Sequence, residues 1–135
     1  MKKLLVIIDM VNGFVKEGPM SDNYINTITP NIINLIKEFK EKNYDIISTQ
    51  EGHLNDAKEF EDFPPHCILG TKEAELIDEL KPYEDDMKLI RKNSTCGFIA
   101  KEFFEYFREN KEQIEEVLLT RMLHRYLCIK FCTTT

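Results

Sequence analysis

Apolar residues follow two rhythms along this chain, unbroken runs and helical stripes, and the two alternate. Leu4-Leu5-Val6-Ile7-Ile8 is a continuous run rich in β-branched residues, the mark of a strand buried on both faces, and Asp9 is the first charge after it. Thr29-Pro30 reads as a helix start, an N-cap hydroxyl with proline behind it at N1. Ile32, Ile33, Ile36 and Phe39 then recur at three- and four-residue steps until Asn43 ends the helix. Tyr44 to Ser48 supplies a second strand. Ala74, Leu76, Ile77 and Leu80 predict a short amphipathic helix that stops before Pro82, and Met87 to Ile90 a brief third strand. Phe98, Ile99, Phe103, Phe104 and Phe107 predict a strongly apolar helix face, and Val117-Leu118-Leu119-Thr120 a fourth strand. Strands alternating with helices, over connections long enough for right-handed parallel crossovers, predict an α/β fold with an open, mainly parallel sheet. No repeat, linker or low-complexity segment divides it.

In such a sheet, ligands gather beyond the carboxyl ends of the strands, and polar clusters fall at those ends here. Asp9 follows the first strand, and Arg91-Lys92-Asn93-Ser94-Thr95 follows the third. The long loop from Ser48 to Gly70 leaves the second and gathers two histidines with several carboxylates. Glu51-Gly52-His53 sets a carboxylate and an imidazole two residues apart, Glu59 and His66 follow within reach of a folded loop, and Pro64-Pro65 stiffens its far end. Two carboxylates and two imidazoles suit a borderline divalent ion such as zinc, manganese or iron. The same residues also read as a solvated acidic loop.

Composition narrows the partners. A chain of 135 residues, 42% apolar and 31% charged, fits one globular domain. A net charge of −6, with lysines interspersed among acids, argues against nucleic-acid or anionic-membrane binding and leaves a small partner. The run Leu4 to Ile8 is too short for a signal or membrane segment. Cys67, Cys96, Cys128 and Cys132 form no C-x-x-C pair, so free thiols in a reducing cytoplasm are expected.

The motifs then combine. A strand ending in Asp9, a second strand followed by Glu51-Gly52-His53 with Phe63-Pro64-Pro65-His66-Cys67 and Gly70-Thr71 beyond it, and a third followed by Arg91 to Phe98 resemble the isochorismatase-like cysteine hydrolases, nearest to their nicotinamidase (pyrazinamidase) branch. The match runs from about Leu4 to Thr120. The resemblance implies a three-layer α/β/α hydrolase domain over residues 1–120 and an atypical tail over 121–135. It implies an aspartate, lysine and cysteine triad, with the aspartate on Asp9 and the lysine on Lys92. It implies metal ligands at Glu51, His53, Glu59 and His66, zinc foremost, and Phe14 and Phe63 as rings that sandwich a flat heteroaromatic amide. The reaction implied is hydrolysis of nicotinamide to nicotinate and ammonia through a cysteine acyl-enzyme, as in NAD salvage. Glu51 stands where the family has aspartate, and Phe63 where it has tryptophan.

The family pattern departs after Thr120. Leu127 occupies the expected nucleophile position; Cys128, one residue beyond it, is the candidate catalytic cysteine of this chain and serves only if the turn absorbs the extra residue, and no glycine occurs after Gly97 to form the oxyanion turn. Back-translation of residues 121 onward, read one base later, yields the missing cysteine turn under permitted codons, so the natural gene is expected to continue in the other frame. A chain ending at Thr135 would lack the last sheet and helix units, leaving apolar faces of strands one and four uncovered and inviting homo-oligomer formation. Two alternatives stay open: an isochorismatase-like hydrolase of another small substrate, and a catalytically dead remnant that binds metal or ligand.

Overall fold

The computed structural model describes residues 1–92, 101–120 and 127–130, without the side chains of Glu59, Lys92 and 127–130. The amino-terminal apolar run is the spine of its sheet. Strand β1 (Lys2–Ile8) pairs in parallel with β2 (Asp45–Glu51) on one side and with β4 (Ile114–Thr120) on the other. Strand β3 (Lys88–Lys92) adds in parallel beyond β2, and β5 (Leu127–Lys130) runs antiparallel beside β4, giving the order β3-β2-β1-β4-β5.

Side-chain alternation along β1 feeds two cores, which is why its sequence carries no polar member between Leu4 and Ile8. Leu5 and Ile7 join Ile46 against Ile32, Ile36 and Phe39 of α2 (Thr29–Glu41). Leu4 and Val6 join Ile47, Ile90, Val117 and Leu119 against Phe103 of α3 (Lys101–Asn110). Helices therefore cover both faces, as a three-layer α/β/α fold requires. Leu4, Leu5, Val6 and Ile7 are all buried, so β1 does not present the uncovered apolar face expected of it.

Four local expectations are corrected. The segment around Ala74 to Leu80 is not an α-helix: after a 3₁₀ turn at Lys72–Ala74, Leu76 bridges antiparallel to Val11. Asn12 N–H donates to Glu75 O at 2.9 Å and Ile77 N–H to Met10 O at 3.1 Å. Those long-range bonds use the backbone groups a helix would have needed, while Leu76, Ile77 and Leu80 still reach the core. Thr29 does not cap α2 but lies in its first turn, behind a 3₁₀ stretch at Asn23–Ile28, and its hydroxyl donates to Asn26 Oδ1 at 2.7 Å. Strand β2 continues to Glu51, beyond the predicted Ser48, because Gln50 and Glu51 still have β3 to pair with, at Arg91 and Lys92. The aromatic stripe of α3 is narrower than predicted, with Phe103 buried but Phe104 58% exposed; Phe98 and Ile99 lie outside the described residues.

The sheet turns direction at β1. The chain first builds outward to β2 and β3, then returns to β4 on the other side, so the carboxyl ends near Asp9 flank the topological switch point. At the opposite edge Asp45 accepts hydrogen bonds from Lys2 Nζ at 2.7 Å and from the Tyr106 hydroxyl, tying β1, β2 and α3 together. Burial pushes the Asp45 carboxyl up, but these two bonds and the Lys2 charge outweigh it and hold it below its ordinary value.

Candidate functional site

The site begins where β2 stops. Glu51 is its last residue and is 0% exposed. Gly52 follows, and a Cβ there would lie 2.5 Å from Leu69 Cδ2 and 2.6 Å from Arg91 Cδ, so a side chain would displace both neighbours from the loop base. His53 then forms a parallel bridge to Ile68: its N–H donates to Cys67 O at 2.8 Å, and its carbonyl accepts from Leu69 N–H at 2.8 Å. That bridge closes the loop on itself and returns His66 to His53, ring centroids 5.0 Å apart.

Three donors converge as a result. Glu51 Oε2 lies 3.5 Å from His53 Nε2 and 3.2 Å from His66 Nε2, and the three ligating atoms all fall within 4.8 Å of one another. Metal–ligand bonds of about 2.0–2.2 Å put neighbouring donors on one ion roughly 3–3.5 Å apart, so the described trio fits with small adjustments. His66 Nδ1 lies 2.7 Å from Pro64 O; a carbonyl only accepts, so Nδ1 carries a proton, and Nε2 is the ring atom turned toward the cluster. The backbone of Glu59 sits in a 3₁₀ turn at Lys58–Glu61, while its side chain lies outside the described residues.

Asp9 is 3% exposed at the carboxyl end of β1, with φ of 56° and its N–H donating to Thr49 O at 2.9 Å. Aspartate tolerates that left-handed backbone, and the kink turns the chain from β1 into the short helix α1 (Asn12–Val15). Lys92 pairs with Glu51 across β2 and β3, so its backbone stands at the same edge; its side chain is outside the description. The Cys128 backbone pairs with Leu118, which pairs with Leu5, four residues before Asp9 and roughly 13 Å down the strand at about 3.3 Å per residue. Its sulfur too lies outside the described residues.

The two rings assigned to substrate part company. Phe14, 6% exposed, packs into the core with its ring 5.7 Å from His66, whereas Phe63 is 46% exposed. Sequence reasoning passed over Phe60, whose ring stands 5.4 Å from His53 and 5.5 Å from His66. Its only signal was an aromatic residue beside Glu59, between the two histidines of the loop.

Behind His66 the packing is tight. A Cβ on Gly13 would lie 2.5 Å from Cys67 Sγ and 3.1 Å from Glu73, while Cys67 itself has φ of 48° and its N–H donates to Glu73 Oε1 at 3.3 Å. Gly13→Ala is therefore expected to cost about 1–3 kcal/mol by overpacking. Urea unfolding checks this, and adding Cys67→Ala should restore part of the loss, because Sγ is the nearest obstacle.

The structure is an α/β domain whose open, mainly parallel sheet carries a buried carboxylate–imidazole cluster at its carboxyl edge. The Isochorismatase domain model matches residues 3–120, and the chain belongs to that family. It is similar to Nicotinamidase 1 of Arabidopsis thaliana, 36% identical over an alignment 104 residues long that covers 71% of this chain and 42% of that protein. The chain thus spans less than half the length of that relative. Nicotinamidase PncA from Bacillus subtilis superposes with a TM-score of 0.76 at 30% identity, covering 89% of this chain and 70% of that one. N-carbamoylsarcosine amidase from Thermoplasma acidophilum superposes with a TM-score of 0.77 at 25% identity, covering 88% and 66%. No described helix is long and apolar enough to cross a membrane.

Proposed function

We propose that this chain carries the site of a metal-dependent amidohydrolase of the nicotinamidase type, converting nicotinamide and water to nicotinate and ammonia in NAD salvage. The observation that carries the reading is the buried Glu51, His53 and His66 trio, set at the carboxyl edge next to the strand that ends in Asp9. Two imidazoles and a carboxylate suit zinc, with manganese or iron as other borderline ions, and Glu59 completes the proposed set. A bound ion would supply a Lewis-acidic anchor for the ring nitrogen of a pyridine carboxamide.

The chain's own residues would do the rest. Phe14, packed beside His66, and by family resemblance Phe63 would hold the flat ring, so that the carboxamide carbon faces a cysteine thiolate from the segment after Thr120. Asp9 would take the thiol proton and return it to the departing ammonia as the amide C–N bond breaks and a thioester forms. Water, losing a proton to Asp9, would then cleave the thioester to the carboxylate and the thiol. Lys92 would favour the thiolate through its charge. A reducing cytoplasm suits that thiol, and neither nucleic acid nor membrane enters the scheme.

The backbone register of Cys128, well below Asp9 along the sheet, favours a second reading: a domain that binds metal and a small aromatic amide without turnover. Metal analysis of the purified chain, paired with ammonia release from nicotinamide with and without chelator, separates the two. About one equivalent of metal and chelator-sensitive ammonia release support the enzyme. Metal and nicotinamide bound without ammonia support the binding domain, and a chain that takes up no metal ends both.

A further inference from the structure

We infer that Phe60 is a positioning residue of the metal centre, fixing the angle between the His53 and His66 imidazoles and keeping water from one flank of the donor cluster. The inference rests on the proposed metal site. Phe60 rides on the 3₁₀ turn Lys58–Glu61, where its N–H donates to Ala57 O at 3.0 Å, and Ala57 N–H in turn donates to Leu54 O at 3.1 Å. These bonds set the ring over the histidines from a backbone that the loop itself builds.

The three rings form a closed triangle. Phe60 meets His53 at 5.4 Å and 70°, His66 at 5.5 Å and 63°, and the two imidazoles meet at 5.0 Å and 74°. All three pairs are near edge-to-face, the arrangement aromatic quadrupoles prefer at these distances. A hydrogen bond such as His66 Nδ1–H to Pro64 O fixes one ring's tautomer and leaves its tilt against a second ring to packing. The tilt matters because both Nε2 atoms must aim at the point in front of Glu51 Oε2, now 3.5 and 3.2 Å from them.

Phe60 belongs to neither apolar core, and its ring neighbours among the described residues are the two histidines. A ring placed only for burial would join one of the cores. Here the ring packs against the two imidazoles instead, on a flank where water would otherwise compete for a coordination position.

The test uses the full chain, with zinc affinity read by competition against a chromophoric chelator and cobalt(II) as a spectroscopic probe. Phe60→Leu keeps apolar bulk and removes the ring; zinc affinity is expected to fall about tenfold, the scale of lost support around a ligand. The visible cobalt bands should weaken as water enters and the coordination number rises. Phe60→Tyr keeps the ring and should bind zinc within about twofold of wild type. If the leucine variant does not fold, Phe60→Met carries the same comparison, and melting of the chelated proteins reports any structural loss. A leucine or methionine variant with wild-type affinity and cobalt spectrum overturns the inference alone, as does a tyrosine variant that fails to rescue. A wild-type chain that binds no zinc overturns the metal site first and the inference with it.

Discussion

Glu51→Gln is expected to lower zinc affinity at least a hundredfold while leaving the chelated protein as stable as wild type or slightly more so. Glu51 is fully buried and supplies the negative charge in the described ligand trio. Its amide counterpart has nearly the same shape but a much poorer donor for a divalent cation. In the metal-free protein the sign reverses: a buried carboxylate carries a desolvation cost of several kcal/mol, offset in part by the imidazoles at 3.5 and 3.2 Å, and glutamine removes that cost. Zinc at about 100 times its dissociation constant stabilises a folded protein by roughly 2.7 kcal/mol. At roughly 3–5 °C per kcal/mol for a domain of this size, wild type should melt about 10 °C higher with zinc than with chelator. For the glutamine variant the same zinc concentration is near the dissociation constant, worth about 0.4 kcal/mol, or a degree or two. Calorimetry of both proteins with zinc and with chelator decides. A glutamine variant that keeps the full zinc shift would remove Glu51 from the ligand set.

The elements legible in the sequence were those whose apolar pattern matches what they pack against. β1 reads as a two-faced run because α2 and α3 cover both of its faces, and Ile32, Ile36 and Phe39 recur at helical steps because one side of α2 meets the sheet. Leu76, Ile77 and Leu80 have helical spacing and core burial, yet their backbone pairs with residues 10–12, a long-range match that no local pattern carries. Site chemistry followed the same divide. Residue types named Glu51, His53 and His66 as donors, but the fold of the loop comes from the His53–Ile68 bridge, which is made of backbone bonds and leaves no residue-type signature. Phe60 was missed because its role is in its contacts. Phe14 and Phe63, paired by resemblance, stand in unlike surroundings, one against His66 in the core and the other at the surface.

Asp9→Asn is expected to cut nicotinamide turnover by about a thousandfold without unfolding the chain or loosening its metal, within the range that positioned proton transfer contributes. The substitution is chosen for its backbone. With φ of 56° at Asp9, asparagine holds the left-handed conformation about as readily as aspartate, so the turn into α1 should survive and the melting temperature stay within a few degrees. Asp9→Ala would add a backbone cost of about 1–2 kcal/mol, and a fall in its activity would mix strain with chemistry. Asp9 lies outside the described ligand trio, so zinc affinity should remain within about threefold of wild type. Three measurements on one variant then separate three roles. Lost turnover with zinc and melting unchanged assigns Asp9 the proton transfers; zinc affinity falling in parallel would make it a ligand; retention of a tenth or more of wild-type turnover would leave it a structural carboxylate at the strand end. A chain that binds zinc and nicotinamide without hydrolysis gives the variant a further use. Nicotinamide affinity unchanged by Asp9→Asn would then show that the buried carboxylate contributes nothing to holding the amide, and that only a nucleophile could give it work.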